Sequence, residues 1–207
     1  MIKGLKICGV SDPETLNYIL NHNYKPTMLG FITNYEKSKR FVEFEKLKNL
    51  IQVDKKKIYF VSVLVNPDDE ILEKIKDLNF DYYQLYDVNP IRTKEIKSKF
   101  KKKIITALTI SGKEDVIKYK DYSEISDIIL FDSKGYDKSE SFDHSLLDDL
   151  PSELNKMIAG NIQINDIPNL QNKDFIIDLS GALEDQTGKK DIDKIDNLLN
   201  TVHNINS

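Results

Sequence analysis

Few residues of this 207-residue chain could do chemistry, because it carries one Cys, three His and no Trp. Cys8 stands two positions after Lys6, so on a strand the two side chains share a face. An ammonium beside a thiol favours the thiolate, whose reference pKa of about 8.5 otherwise leaves it mostly protonated at neutral pH. The alternative for an isolated Cys is inert core filler, yet an inward lysine is costly unless it is paired or functional. Asp132 ends the otherwise apolar run Ile128-Ile129-Leu130-Phe131, a setting in which a carboxyl with a raised pKa can serve as a general acid. The plainer reading is a carboxylate that caps the following loop. Gly160-Asn161 and Gly181-Ala182 follow the last two apolar runs and offer backbone N–H groups to a phosphate; turn-forming glycine is the plainer reading there. His22, His144 and His203 have no metal-ligand arrangement, so no histidine-held metal is expected.

These groups need a scaffold, and the chain supplies a regular one. Short runs rich in Ile, Val, Leu and Phe recur about every 25 residues, separated by segments with apolar residues at helical spacing. Strands are expected at 5–8, 28–32, 58–65, 81–86, 103–108, 127–132, 156–159 and 174–179. The first helix starts with Asp12 as N-cap and Pro13 at its first position. Others are expected from 43, after 66–69, and at 90–100, 113–119, 143–150, 165–170 and 191–204. Strands that are apolar throughout, rather than alternating, indicate burial on both faces and a parallel sheet. About eight βα units with short connections predict a closed (β/α)8 TIM barrel, a single compact α/β domain over residues 1–207. An open doubly wound sheet carries a glycine fingerprint after its first strand, which is missing here.

In such a barrel the reacting groups lie at the C-terminal ends of the strands and in the loops that follow. That filter admits Cys8, Arg40, Gln84, Tyr86, Asp132 and the segments 159–161 and 180–182. Closure makes Asp178 the lateral neighbour of Lys6. The runs Lys55-Lys56-Lys57 and Lys101-Lys102-Lys103 fall on the opposite face and read as solvated loops. With 30 Lys+Arg against 34 Asp+Glu, the net charge of −4 gives no general attraction for nucleic acid, so an anionic small molecule must be held by local positive groups. The opening residues lack the apolar stretch of a signal peptide, and no segment is long and apolar enough for a bilayer. A cytoplasmic protein without a membrane partner is expected. The absence of a long apolar surface stripe makes a monomer the default.

Leu5-Lys6-Ile7-Cys8-Gly9-Val10 resembles the K-I-C-G-[IV] opening of the phosphoribosylanthranilate isomerases of tryptophan biosynthesis, and the resemblance runs along the entire chain. Ser38-Lys39-Arg40-Phe41-Val42 is similar to S-x-R-[YF]-[VI], Val63-Leu64-Val65-Asn66 to G-[VL]-[FV]-[VA]-N, and Gln84-Leu85 to Q-L-H. Leu130-Phe131-Asp132-Ser133-Lys134 is similar to L-L-D-[TS]-K, and Asp178-Leu179-Ser180 with Glu184 and Gly188-Lys189-Lys190-Asp191 to D-[VL]-S-S-G-V-E…G-x-K-D. The resemblance implies Cys8 as general base, Asp132 as general acid and Arg40 as the grip on the anthranilate carboxylate. It implies substrate contacts from Lys6, Gln84 and Asp178 and a phosphate on Gly160, Asn161, Gly181 and Ala182. The implied reaction is an Amadori rearrangement without cofactor or metal. The chain departs from the family pattern at Tyr86, Asn161 and Ala182, and at 137–144, where a glycine-rich loop has lost its glycines. Those losses motivate the competing reading, a barrel that no longer turns over and only binds an anionic ligand or a partner.

Overall fold

The computed structural model describes residues 1–133 and 141–207. Its strands are β1 (Gly4–Cys8), β2 (Met28–Ile32), β3 (Tyr59–Val65), β4 (Tyr82–Tyr86), β5 (Lys103–Ile110), β6 (Ile128–Ser133), β7 (Lys156–Ile158) and β8 (Ile176–Leu179). They pair in sequence order, all parallel, and β8 closes onto β1. The (β/α)8 barrel read from the apolar runs is the observed fold. Residues 134–140, which include Lys134 of the L-L-D-[TS]-K match and half of the glycine-poor stretch, lie outside the described part.

The helices are α1 (Pro13–Asn21), α2 (Phe44–Leu50), α3 (Asp69–Ile75), α4 (Pro90–Phe100), α5 (Lys113–Ile117), α6 (Ile167–Leu170) and α7 (Ile192–Asn206). Their starts follow local chemistry. The side chains of Asp12, Asp68 and Asn89 accept from the N–H groups of Thr15, Ile71 and Arg92, and Pro13 and Pro90 need no donor of their own. One expectation fails: in place of a helix over 143–150 there is a single 3₁₀ turn, His144–Leu147. Asp148 and Asp149 oppose the helix dipole at what would be its C-terminal end, and Pro151 bars extension.

Two apolar layers hold the barrel. Ile7, Leu29, Phe60, Leu64 and Ile177 face outward from the strands into the helices, while Met28, Val61, Ile105, Leu130 and Met157 fill the interior. One interior side chain is a fully buried lysine: Lys6 shares its register position with Asp178 on β8, and its Nζ lies 2.7 Å from Asp178 Oδ2. Room for it comes from β2, where Gly30 pairs with Cys8. A Cβ at position 30 would lie 2.9 Å from Cys8 Sγ and 3.1 Å from Lys6 Nζ. Both neighbours are side-chain ends, but Lys6 is pinned by Asp178 and has nowhere to retreat. Gly30→Ala is therefore expected to destabilise the fold by about 1–3 kcal/mol through overpacking. Urea unfolding checks this, and wild-type stability would mean that the lysine has room to move.

Candidate active site

A cleft of about 690 Å³ opens at the C-terminal end of the barrel. Cys8, Arg40, Asp132, Gly160, Asn161, Asp178, Gly181 and Ala182 all line it. Eight of the ten residues singled out from the sequence thus meet at one mouth, from β1, the loop after β2, β6, and β7 and β8 with their following loops. Lys6 and Gln84 do not reach it: both are fully buried and lie one layer deeper. Each sits two residues before the end of its strand on the inward face, beneath Cys8 and Tyr86 respectively, so neither can touch a ligand directly.

Burial acts on Lys6 against its charge, but Asp178 and Cys8 outweigh it and hold the ammonium above its ordinary pKa. The effect expected on the thiol does not prevail. Burial pushes Cys8 above the usual thiol range, and the opposing pull of Lys6 and Lys190 is too weak to reverse that. Lys6 is committed to Asp178, whose negative charge also raises the thiol. Spacing alone showed the ammonium; its partner across the barrel seam cancels much of its field.

Asp132 is partly exposed at the end of β6. Its Oδ1 accepts from the N–H of Ser133 at 2.8 Å and its Oδ2 from the Tyr86 hydroxyl at 2.6 Å. Burial nevertheless pushes the carboxyl up to about 6, with Asp178 adding to the rise while Tyr86, Ser133 and Lys6 oppose it. The loop after β7 approaches Ser133 closely. Gly160 has φ +100°, and a Cβ there would come within 2.7 Å of Ser133 Cβ and 2.9 Å of its N, so only glycine fits. Asn161 takes φ +54°, a conformation Asn tolerates better than most residues, and Ala182 needs no positive φ. The backbone N–H groups of Gly160, Asn161, Gly181 and Ala182 have no acceptor among the described residues.

Arg40 reaches the mouth across Gly9, at φ +81°, where a Cβ would lie 2.4 Å from Arg40 Cδ. The loop that carries it is braced by the Ser38 hydroxyl, which accepts from the Arg40 N–H. Its guanidinium donates through Nε and Nη2 to the two carboxylate oxygens of Glu184, leaving the Nη1 edge for an anion in the cleft. Lys190, buried, donates to Glu184 at 3.0 Å and to the Ser180 carbonyl at 2.9 Å. Burial pushes Glu184 up, but Arg40 and Lys190 outweigh it and hold the carboxylate below its usual range. Sequence reasoning had not assigned Glu184, Lys190 or Gly30 a place in the site. Glu184 lies 144 positions from Arg40 and no spacing rule links them; the one available signal was the polar stretch 184–191 inside the family match.

The fold and the cleft at its C-terminal end are those of an enzyme built on a (β/α)8 barrel. A family model described as N-(5′-phosphoribosyl)anthranilate (PRA) isomerase matches residues 5–201. The chain is 32% identical to N-(5′-phosphoribosyl)anthranilate isomerase of Parabacteroides distasonis over 96% of its length and 92% of that protein. It is 31% identical to the enzyme of that name from Rhizobium rhizogenes over 96% and 93%. The crystal structure of phosphoribosyl anthranilate isomerase from Thermotoga maritima superposes with a TM-score of 0.83 at 25% identity, covering 99% of this chain and 100% of that one. The chain belongs to the N-(5′-phosphoribosyl)anthranilate isomerase family and is an isomerase.

Because Asp132 has a raised pKa in the fold, the stability it contributes as a neutral acid is present below about pH 4 and is lost as pH rises through about 6. Its charged form at pH 8 costs about 1–2 kcal/mol once the shift is discounted for partial exposure. Asp132→Asn is expected to gain stability relative to wild type between pH 4.5 and pH 8, by about that amount, in urea unfolding at the two pH values. A difference that does not change with pH would contradict the placement of this carboxyl.

Proposed function

We propose that the chain converts N-(5-phosphoribosyl)anthranilate to 1-(o-carboxyphenylamino)-1-deoxyribulose 5-phosphate, with Asp132 as general acid and Cys8 as general base. The observation that carries this reading is the meeting of these two groups in one cleft, each at the end of its own strand. Asp132 gives its proton to the furanose oxygen as the C1–O bond breaks, and the anilino nitrogen lone pair forms the C1=N bond of a Schiff base. The Cys8 thiolate then takes the C2 proton, and the electron pair flows to the nitrogen to give an enolamine, which tautomerises to the ketone. The phosphate rests on the amides of Gly160, Asn161, Gly181 and Ala182, and the Nη1 edge of Arg40 faces the anthranilate carboxylate. Asp178, whose Oδ1 is buried and has no hydrogen-bond partner among the described residues, accepts from a ribose hydroxyl.

The productive form has Asp132 protonated and Cys8 ionised, the less common state of each at neutral pH. Between about pH 6 and the raised pKa of the thiol, the two populations change in opposite directions and kcat/KM stays flat. Below about pH 6 the acid is already protonated while thiolate is still being lost, so kcat/KM falls. A free thiol suits a reducing compartment, which supports a cytoplasmic location. Residues 1–207 are read as one domain and as a monomer, since the large apolar side chains exposed among the described residues, such as Tyr24, Tyr59, Ile91 and Ile117, are scattered along the chain. A purified sample is expected to turn over N-(5-phosphoribosyl)anthranilate in a fluorescence assay, and Cys8→Ser and Asp132→Asn are each expected to lower kcat by about 10²–10⁴-fold. Wild type without turnover would favour the barrel that only binds, and a Cys8→Ser variant with near wild-type kcat would remove the base from its role.

A further inference from the structure

The hydroxyl of Tyr86 is the one side-chain donor to Asp132 among the described residues, and it comes from a strand that does not adjoin β6. Tyr86 ends β4 and pairs with Ala107 on β5, which in turn pairs with Leu130 on β6. The phenol must therefore pass over β5, and the small side chain of Ala107 leaves the room for it; the two pack in the same interior cluster. Tyr86 is buried, and its OH accepts from Gln84 Nε2 at 3.2 Å while donating to Asp132 Oδ2 at 2.6 Å. Because Gln84 supplies a donor, the single proton of the phenol is directed at the carboxyl. Burial and the neighbouring Asp132 push the phenol well above its usual pKa, so it stays a donor throughout the working range.

Resting on the acid–base reading above, we propose that Tyr86 is a positioning residue for the general acid. Its O–H, aimed by Gln84, fixes Asp132 and stabilises the carboxylate left behind when the proton passes to the ring oxygen. The bond strengthens only as Asp132 becomes charged, since a donor binds a carboxylate more tightly than a neutral acid. Among the described residues, the other charged or titratable groups that face Asp132 are Asp178 from β8 and Lys6 from β1, and those that face Tyr86 include Cys8 of β1 and Asp178. Lys6 and Asp178 are paired to each other, which leaves Tyr86 as the main counterweight to burial at the acid.

Tyr86→Phe keeps the ring and its packing and removes only the donor. One charge-assisted hydrogen bond is worth roughly tenfold in the ionisation of its acceptor, so the acid limb of kcat/KM is expected to move up by about one pH unit. The signature is a pH-dependent loss: about tenfold at pH 5, shrinking to within about twofold at pH 8. A structural disturbance would lower activity equally at both. The carboxyl ¹³C resonance of Asp132, assigned by its disappearance in Asp132→Asn, is expected to titrate about one unit higher in Tyr86→Phe than in wild type. Equal losses at the two pH values, or an unmoved ¹³C titration, overturn the role of Tyr86. The same comparison isolates the underlying reading: if Asp132→Asn retains turnover, the acid assignment has failed, while the ¹³C titration still decides whether Tyr86 controls this carboxyl.

Discussion

The mouth of this barrel is organised around one buried ion pair. Lys6 has no exposure, and its ammonium lies against Asp178 across the seam where β8 closes onto β1. Removing two charges from water is expensive, and well-packed apolar side chains would stabilise a barrel at least as well. The pair therefore has to be understood through what surrounds it. Gly30 gives up its side chain to make space. Cys8 stands directly above, one pleat nearer the solvent, and both members of the pair act on Asp132. The result is a nearly neutral floor that leaves burial as the dominant influence on the thiol and on the acid.

A second, half-buried charge cluster frames the rim. Glu184 receives Arg40 on one side and Lys190 on the other, Lys190 anchors the Ser180 carbonyl, and the Ser180 hydroxyl donates to the backbone of Cys8. The loops after β2 and β8 are thereby tied to the end of β1. In a chain of net charge −4, this concentrates positive groups at the cleft, and it fixes the guanidinium through Nε and Nη2, leaving Nη1 outside the pair with Glu184. Preorganisation of this kind spends no binding energy on rearranging the site.

The fold was legible because it rests on local regularities. Continuous apolar strands and capped helices at a steady beat place β2 and α4 at their observed bounds. The period of two put Lys6 beneath Cys8, and closure put Asp178 beside it. What could not be read was set by contacts distant in sequence. Gly30 looked like a strand residue until the side chains it accommodates were in place. Tyr86 was visible at the end of β4, but its reach over Ala107 to Asp132 depends on the stagger of three strands. The segment 143–150 had helix-forming spacing and a good cap, yet acidic residues at its far end and a following proline reduced it to one turn. The ionisation of Cys8 was misjudged for a related reason: the lysine was in the sequence, and the carboxylate that neutralises it came from the other end of the chain.

We propose that a substrate lies with its phosphate on the amides that follow β7 and β8, its reacting carbons between Cys8 and Asp132, and its carboxylate at Arg40. The most direct test is a crystal structure of this protein with reduced 1-(o-carboxyphenylamino)-1-deoxyribulose 5-phosphate. The account predicts the phosphate within hydrogen-bond reach of at least two of the amides of Gly160, Asn161, Gly181 and Ala182, with Cys8 Sγ and the Asp132 carboxyl on either side of the ribulose chain. A phosphate bound instead at the lysine-rich end of the barrel, or a sugar chain that does not pass between Cys8 and Asp132, would contradict it.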